Sequence, residues 1–202
     1  ITADSADKMY DGSALTDSGY SYVGSLANGD TIFGVDVTGS ITDFGVSDNV
    51  VGDVVIMRGD VDVTGNYLIN KENGILSITK RDVVIIANSD SKVYDGTVLT
   101  NDGYILTGSG FVDGEGCKDI RVEGEQLLAG SSANRIEYEL ADGTLAGNYE
   151  ITVVDGTLTV ECAALTINNS DQTVVYGDSP ETQWSFTDHC GNTVTVVATI
   201  DG

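Results

Sequence analysis

A chain of 202 residues that is 41% hydrophobic can bury an ordinary core, which argues against disorder despite a net charge of −23 from 9 basic and 32 acidic side chains. The acids are spread along the chain: residues 1–82 hold five basic and thirteen acidic groups, 83–161 hold four and fourteen, and 163–202 has no Lys or Arg. That field repels phosphates and anionic lipid, so it excludes nucleic acid as a partner, and no apolar run is long enough for direct membrane insertion.

In chain order, the first landmark is Lys8-Met9-Tyr10-Asp11-Gly12, closing on Leu15-Thr16. Asp-Gly predicts a turn with the glycine at positive φ, and Tyr10 is expected at its mouth with its hydroxyl on a backbone group. Gly19-Tyr20 and Gly24-Ser25 follow; Tyr20 and Tyr22 share a strand face and are expected in the core. No window shows a sustained helical period, and the one place with room for a short helical turn is 25–30. Gly65-Asn66-Tyr67 should open a core-facing strand, and Leu76 and Ile78 alternate about Ser77 as a closing one.

The order then returns. Lys92-Val93-Tyr94-Asp95-Gly96 closes on Leu99-Thr100, and Gly103-Tyr104 precedes Gly108-Ser109. Gly147-Asn148-Tyr149 leads to Leu158 and Val160. Four landmarks in one order, on a period of about 80 residues, mark a duplicated unit. The Asp82–Ala87 run and the alternating 134–140 segment, with Ile136, Tyr138 and Leu140 on one face, read as strands of the second copy. The fold class expected is all-β: tandem small β-sandwich (Ig-like) domains, with a β-grasp-like arrangement as the alternative. The domains are 1–80, 81–161 and an incomplete unit at 162–202. The first junction, near Lys80-Arg81, carries no Pro/Gly/Ser linker and predicts an extended array. Three more residues separate Asn49 from Asn66 than separate Asn134 from Asn148, which places a bulge near 50–53. The chain begins at Ile1, as a processed protein or a segment of a longer one would.

Lys-x-Tyr-Asp-Gly with Leu-Thr, Gly-Asn-Tyr and a closing Gly-x-Leu-x-Ile/Val strand resembles the YDG-type repeat of bacterial surface proteins. Val174-Val175-Tyr176-Gly177-Asp178 is similar to the related MBG-type repeat. The resemblance implies an extracellular, cell-surface or secreted, non-enzymatic protein, a stalk or fibre segment of an adhesin, with host glycan or glycoprotein as a candidate partner. It brings no catalytic residues and no cofactor. The repeated Lys8, Tyr10, Asp11, Gly12, Asn66 and Tyr67, with Lys92, Tyr94, Asp95, Gly96, Asn148 and Tyr149, are read as structural. Each lysine is expected beside its own aspartate, in preference to an isopeptide bond with Asn66 or Asn148.

Catalytic constellations are missing: no Ser/His/Asp or Cys/His set recurs around the one His, His189. Calcium is the only ion the acids suit, at Asp53 with Asp60 and Asp62 or at Asp113 with Glu115, but neither set has a twelve-residue loop pattern. Of Cys117, Cys162 and Cys190, Cys162 opens the incomplete unit and Cys190 lies in its later part, and these two are the expected disulfide. The half-unit is expected to have strands around 164–167, 174–176, 183–186 and 193–200, with Trp184 and Phe186 in its core. Three readings stay open for its unpaired edges: a unit cut short, a small disulfide-held subdomain docked on the second repeat, or head-to-tail self-association completed by a strand from another copy, with 1–6 as the donor.

Overall fold

Apolar residues alternating with small polar ones lay down the sheets. The computed structural model describes residues 1–165, 183–187, 190–191 and 193–197, and these are all-β in a β-sandwich-like arrangement. The first repeat supplies β1 (Thr2–Ala3), β2 (Ala6–Met9), β3 (Tyr20–Ser21), β4 (Thr31–Thr38), β5 (Gly45–Arg58), β6 (Val61–Asp62) and β7 (Gly74–Thr79). The second supplies β8 (Arg81–Ala87), β9 (Asp90–Val93), β10 (Tyr104–Gly108), β11 (Cys117–Glu123), β12 (Gly130–Leu140), β13 (Tyr149–Val154) and β14 (Gly156–Glu161). A hairpin of β15 (Gln183–Thr187) and β16 (Thr193–Val197) follows.

The pairing repeats as the sequence does. β2 lies parallel to β7 with Lys8 opposite Ile78, and β9 lies parallel to β14 with Lys92 opposite Val160. The sheet orders are β2-β7-β5-β4 and β11-β12-β14-β9, with β6 added to β5; β10-β8-β13 forms a third sheet and β1-β3 a small one. Leu76, Ile78, Val83, Ile85, Ala87, Leu158 and Val160 are all buried, because alternation turns one face of each strand inward. Only Lys80 separates β7 from β8. The three extra residues of the first repeat lie inside β5, fourteen residues long against eleven in β12. Val51 pairs with Val37 and Val54 with Val35, so Gly52 and Asp53 together oppose Asp36: a bulge within a strand. A second register slip lies at Phe33.

Contact density divides the chain into two compact units, and the division does not follow the sequence period. The first holds Ile1–Val84 with Leu106–Asp119 and Tyr138–Thr152. One core cluster in it is Ala3, Val51, Val54 and Ile56, packed by Leu26, Ile32 and Tyr67 among others. The second holds Ile85–Ile105, Ile120–Glu137 and Val153–Gly202, with a core of Leu99, Leu158 and Val160.

Several expectations change. Tyr20, Tyr22, Tyr104 and Tyr138 are substantially exposed, not core. Residues 25–30 form a plain turn; the helical turns are 3₁₀ and fall on the Gly-Asn motif, at Thr64–Asn66 and Ala146–Asn148. Tyr149 opens a strand, but residues 67–71 of the first repeat do not form one, and only an isolated bridge joins Glu72 to Thr2. Residues 1–6 are not a spare strand: the Ile1 ammonium donates to Asn70 O at 2.9 Å, β1 pairs with β3, and Ala3 is buried. Residues 162–165 are not strand, while the motif at 174–178 and the Trp184 and Phe186 side chains lie outside the described residues.

Candidate functional site

The Tyr-Asp-Gly turns are built alike. Lys8 Nζ donates to Asp11 Oδ1, Ser13 O and Ser13 Oγ at 2.7, 2.7 and 2.8 Å. Lys92 Nζ donates to Asp95 Oδ1, Thr97 O and Thr97 Oγ1 at 2.8, 2.7 and 2.6 Å. Each aspartate also accepts a backbone N–H two residues on, at 2.9 Å in both turns. Gly12 and Gly96 sit at φ +78° and +82°, conformations a β-carbon disfavours. The lysine beside it, and the turn N–H and hydroxyl of Ser13, hold the Asp11 carboxyl down to about 2; the matching groups push Asp95 lower still.

From there the two tyrosines part. Within the first compact unit, Tyr10 is 4% exposed and its hydroxyl donates to Glu115 Oε1 at 2.5 Å, a carboxylate where a backbone partner was expected. The Tyr149 hydroxyl donates to Glu115 Oε2 at 2.8 Å and accepts the Val112 N–H at 3.2 Å. The Tyr10 and Tyr149 rings meet edge to face, 5.5 Å apart at 80°, and Phe111 packs at 5.0 Å from Tyr149. Asn148 completes the seam: its Oδ1 accepts the Phe44 N–H at 2.8 Å and its Nδ2 donates to Asp43 Oδ1 at 2.9 Å. Gly12 fits because its missing β-carbon would stand 3.0 Å from Val112 Cγ1. Burial, with the Glu115 carboxylate adding to it, pushes the Tyr149 phenol up to about 12; the Glu115 hydrogen bond first, then burial, raises Tyr10.

The first repeat holds the same acceptor without the tyrosine that fills it. Ala27–Asp30 and Val112–Glu115 are matching turns, with Asp30 N–H to Ala27 O at 3.0 Å and Glu115 N–H to Val112 O at 2.9 Å. The Tyr67 hydroxyl donates to Asp30 Oδ2 at 2.6 Å and accepts the Ala27 N–H at 2.9 Å, as Tyr149 does with Glu115 and Val112. Where Tyr10 meets the second oxygen of Glu115, Arg58 meets Asp30 Oδ1. The Arg58 guanidinium and the Tyr67 hydroxyl hold Asp30 below the usual carboxylate range, and the Asp30 bond raises Tyr67. Beside them opens a cleft of about 220 Å³ lined by Tyr22, Val23, Leu26, Tyr67, Leu68 and Ile69 among others.

The Tyr10 and Tyr149 rings are therefore perpendicular and buried at the seam, which is not a flat platform for a sugar ring. Each repeat also has a shallow groove, at Asp17 and Gly39 and at Asn101 and Gly124, with no aromatic lining. Among the described residues no three His, Cys, Asp or Glu side chains converge as a metal site. Glu115 is held by two hydroxyls and Asp62 caps the Thr64 N–H, so neither calcium set is assembled. Cys162 is joined to Cys190, and Cys117 is a half-buried free thiol raised by burial. Among the described residues no helix is long and apolar enough to cross a membrane. Reading the repeat motif alone misses Asp30, Asp43 and Phe44; the recurring x-Gly-acid triplets at 28–30 and 113–115 carried the signal for Asp30 and Glu115.

No family model matches the chain, and no curated protein or solved structure does.

Proposed function

We propose that the protein is a non-enzymatic extracellular surface protein, a tandem-repeat stalk or fibre segment of a bacterial adhesin built from YDG-type and MBG-type repeats. The observation that carries this reading is the seam. Tyr10 of one repeat is buried against Glu115 and Tyr149 of the next, across a junction of one residue, Lys80. A motif that plugs one repeat into its successor has a mechanical use in an array and no evident use in a pocket enzyme. The Cys162–Cys190 bond suits an oxidising, extracellular compartment, and the dispersed negative charge suits a surface that must stay non-adherent to its own kind of cell. Labelling of intact source cells with antibody against the chain tests the placement: surface labelling is expected, and signal only after lysis overturns it.

A carbohydrate- or glycoprotein-binding module is the second reading, favoured by the exposed Tyr20, Tyr22, Tyr94 and Tyr104. A glycan array separates the two. The stalk gives no dose-dependent hit, and a hit lost on replacing those tyrosines establishes the binder.

A further inference from the structure

We propose that the hairpin tip at Arg58-Gly59-Asp60 is a docking site for a cell-adhesion receptor that holds a divalent cation beside an acidic pocket. The cation takes the Asp60 carboxylate and the pocket takes the Arg58 guanidinium. The site lies within the first compact unit. Strand β5 ends at Arg58 and β6 begins at Val61, with Met57 opposite Asp62 and Arg58 opposite Val61. Gly59 and Asp60 are therefore the whole loop. A two-residue hairpin loop favours glycine first, where φ is positive, and Gly59 stands at +57°. The turn thus sets a cationic and an anionic side chain on either side of one glycine.

Both charged groups are open to a partner. Gly59, Asp60 and Val61 are exposed. Among the described residues Asp60 has no hydrogen-bond or ion-pair partner, whereas the next acid, Asp62, caps the Thr64 N–H. Arg58 gives only its Nε to Asp30 Oδ1; its side chain stays 55% exposed and its two terminal nitrogens make no hydrogen bond. That single bond steadies the guanidinium and leaves its outer fork for a partner carboxylate, the bidentate geometry that arginine suits. Asp60 offers an oxygen to a hard cation such as magnesium, which takes one or two carboxylates and fills its other positions from elsewhere. Val61, 63% exposed, adds an apolar contact beside the acid.

The second repeat supplies the contrast. Strand β12 ends at Leu140 as β5 ends at Arg58, each eight residues before the asparagine of Gly-Asn-Tyr. Leu140-Ala141-Asp142 therefore stands where Arg58-Gly59-Asp60 stands: the acid recurs, and the arginine and glycine do not. Asp142 is exposed although a whole repeat precedes it, so this corner of the repeat stays open in tandem. A net charge of −23 is repelled by anionic cell surfaces, so attachment by this chain needs a specific contact, and a receptor-held cation draws the carboxylate in. The inference rests on the adhesin reading for its setting, and names the kind of partner that an adhesin of this sequence would take.

Suspended animal fibroblasts on plastic coated with the full chain test it. Coating makes the result independent of where the chain is displayed, so failure here leaves the stalk reading intact, and failure of surface labelling leaves this turn's chemistry intact. Attachment is expected in magnesium and manganese. It should be lost on chelation with EDTA and on competition with a soluble cyclic Arg-Gly-Asp peptide, and kept with the Arg-Gly-Glu analogue. Asp60→Glu keeps the charge and breaks no bond within the chain, and should raise the coating density for half-maximal attachment at least about tenfold. Arg58→Gln should do the same, with circular dichroism reading its fold; where that fold is perturbed, Asp60→Glu alone decides. Asp142→Glu, at the matching corner, should change nothing. Absence of attachment, attachment that survives chelation or Asp60→Glu as a glycan contact would, or an equal loss at Asp142→Glu overturns the proposal.

Discussion

Tyr10 and Tyr94 leave the same turn and reach opposite surroundings. Both follow a lysine that clasps its Asp-Gly turn from inside, and both N–H groups bond the closing strand, to Thr79 O and Glu161 O at 2.9 and 2.8 Å. One ring is sealed against Glu115 and Tyr149, while the other is 41% exposed. The same contrast runs through the acceptors, Tyr149 against Tyr67. Local sequence therefore fixes the turn, and the neighbour decides whether the tyrosine is core or surface. The repeat motif encodes two things at once: a stable turn, and a side chain offered outward for the next unit to take.

The sharpest way to break this comparison is to truncate both acceptor rings. Tyr149→Ala removes a buried aromatic together with both its hydroxyl bonds, and should cost about 3–5 kcal/mol. Tyr67→Ala removes a half-buried ring and should cost roughly half as much. Denaturant unfolding of the two variants measures the difference. Equal losses would mean that the seam adds nothing beyond what each repeat already provides.

Asn49 and Asn134 offer a comparison expected to hold instead of fail. Both are fully buried at matching places, and their amides anchor the chain, Asn49 on Asp4 O at 2.9 Å and Asn134 on Asn88 O and Asn101 O at 2.9 and 2.8 Å. Each leaves its Oδ1 without a hydrogen-bond partner. Gly39 and Gly124 lie over those oxygens so closely that a β-carbon would stand 2.8 and 2.5 Å away. Replacing either asparagine with Ala strands the carbonyls it serves and should cost about 2–3 kcal/mol in thermal or chemical unfolding. Asn134→Ala should be the worse of the two, since it serves two carbonyls.

Glu115→Gln sharpens the seam itself. Two hydroxyls donate to that carboxylate, and charge-assisted bonds are the stronger kind, so the amide should lose about 1 kcal/mol. Its pH signature is more telling. Folding raises the phenols of Tyr10 and Tyr149, so it favours their protonated forms. That stability is whole below about 10 and is lost as pH climbs from there toward about 12. Glu115→Gln should reduce this alkaline loss without abolishing it, because burial is the main cause at Tyr149. Melting curves taken between about pH 8 and 12 read the effect; an unchanged alkaline limb would remove Glu115 from the account.

Much of this was legible in the residues. The all-β class, the seven strands of each repeat, the buried Leu76, Ile78, Leu158 and Val160, and the bulge opposite Asp36 follow from alternation, turn signals and a difference in spacing. The partners of the repeated tyrosines did not. Whether Tyr20 or Tyr149 is buried depends on which segments are stacked over it, and period-two patterning is silent on that. Asp43 and Phe44 reach Asn148 across 105 and 104 residues, a separation at which no local signal exists. The Gly-Asn motif read as the start of a strand because its final tyrosine is one in the second repeat. Its glycine and asparagine instead close a 3₁₀ turn, where a small residue and a short polar one are tolerated.

The smallest effect is also the strictest test that the two turns are one device. Lys8 and Lys92 each make three hydrogen bonds of matching length and are about one-fifth exposed. Lys8→Met and Lys92→Met keep the stem and remove the ammonium. Their losses should be equal, and smaller than that of Glu115→Gln, because an ion pair at a surface is well screened. The acid limb should move with them. Asp11 is held down to about 2 and Asp95 lower, so each contributes stability that is present above about 4 and fades as pH falls through its lowered value. Either lysine variant should shorten that limb by the same amount in acid-unfolding curves. A larger loss at Lys8 than at Lys92 would show that the turn is not independent of its tyrosine, and that burying Tyr10 against Glu115 stiffens the clasp that presents it.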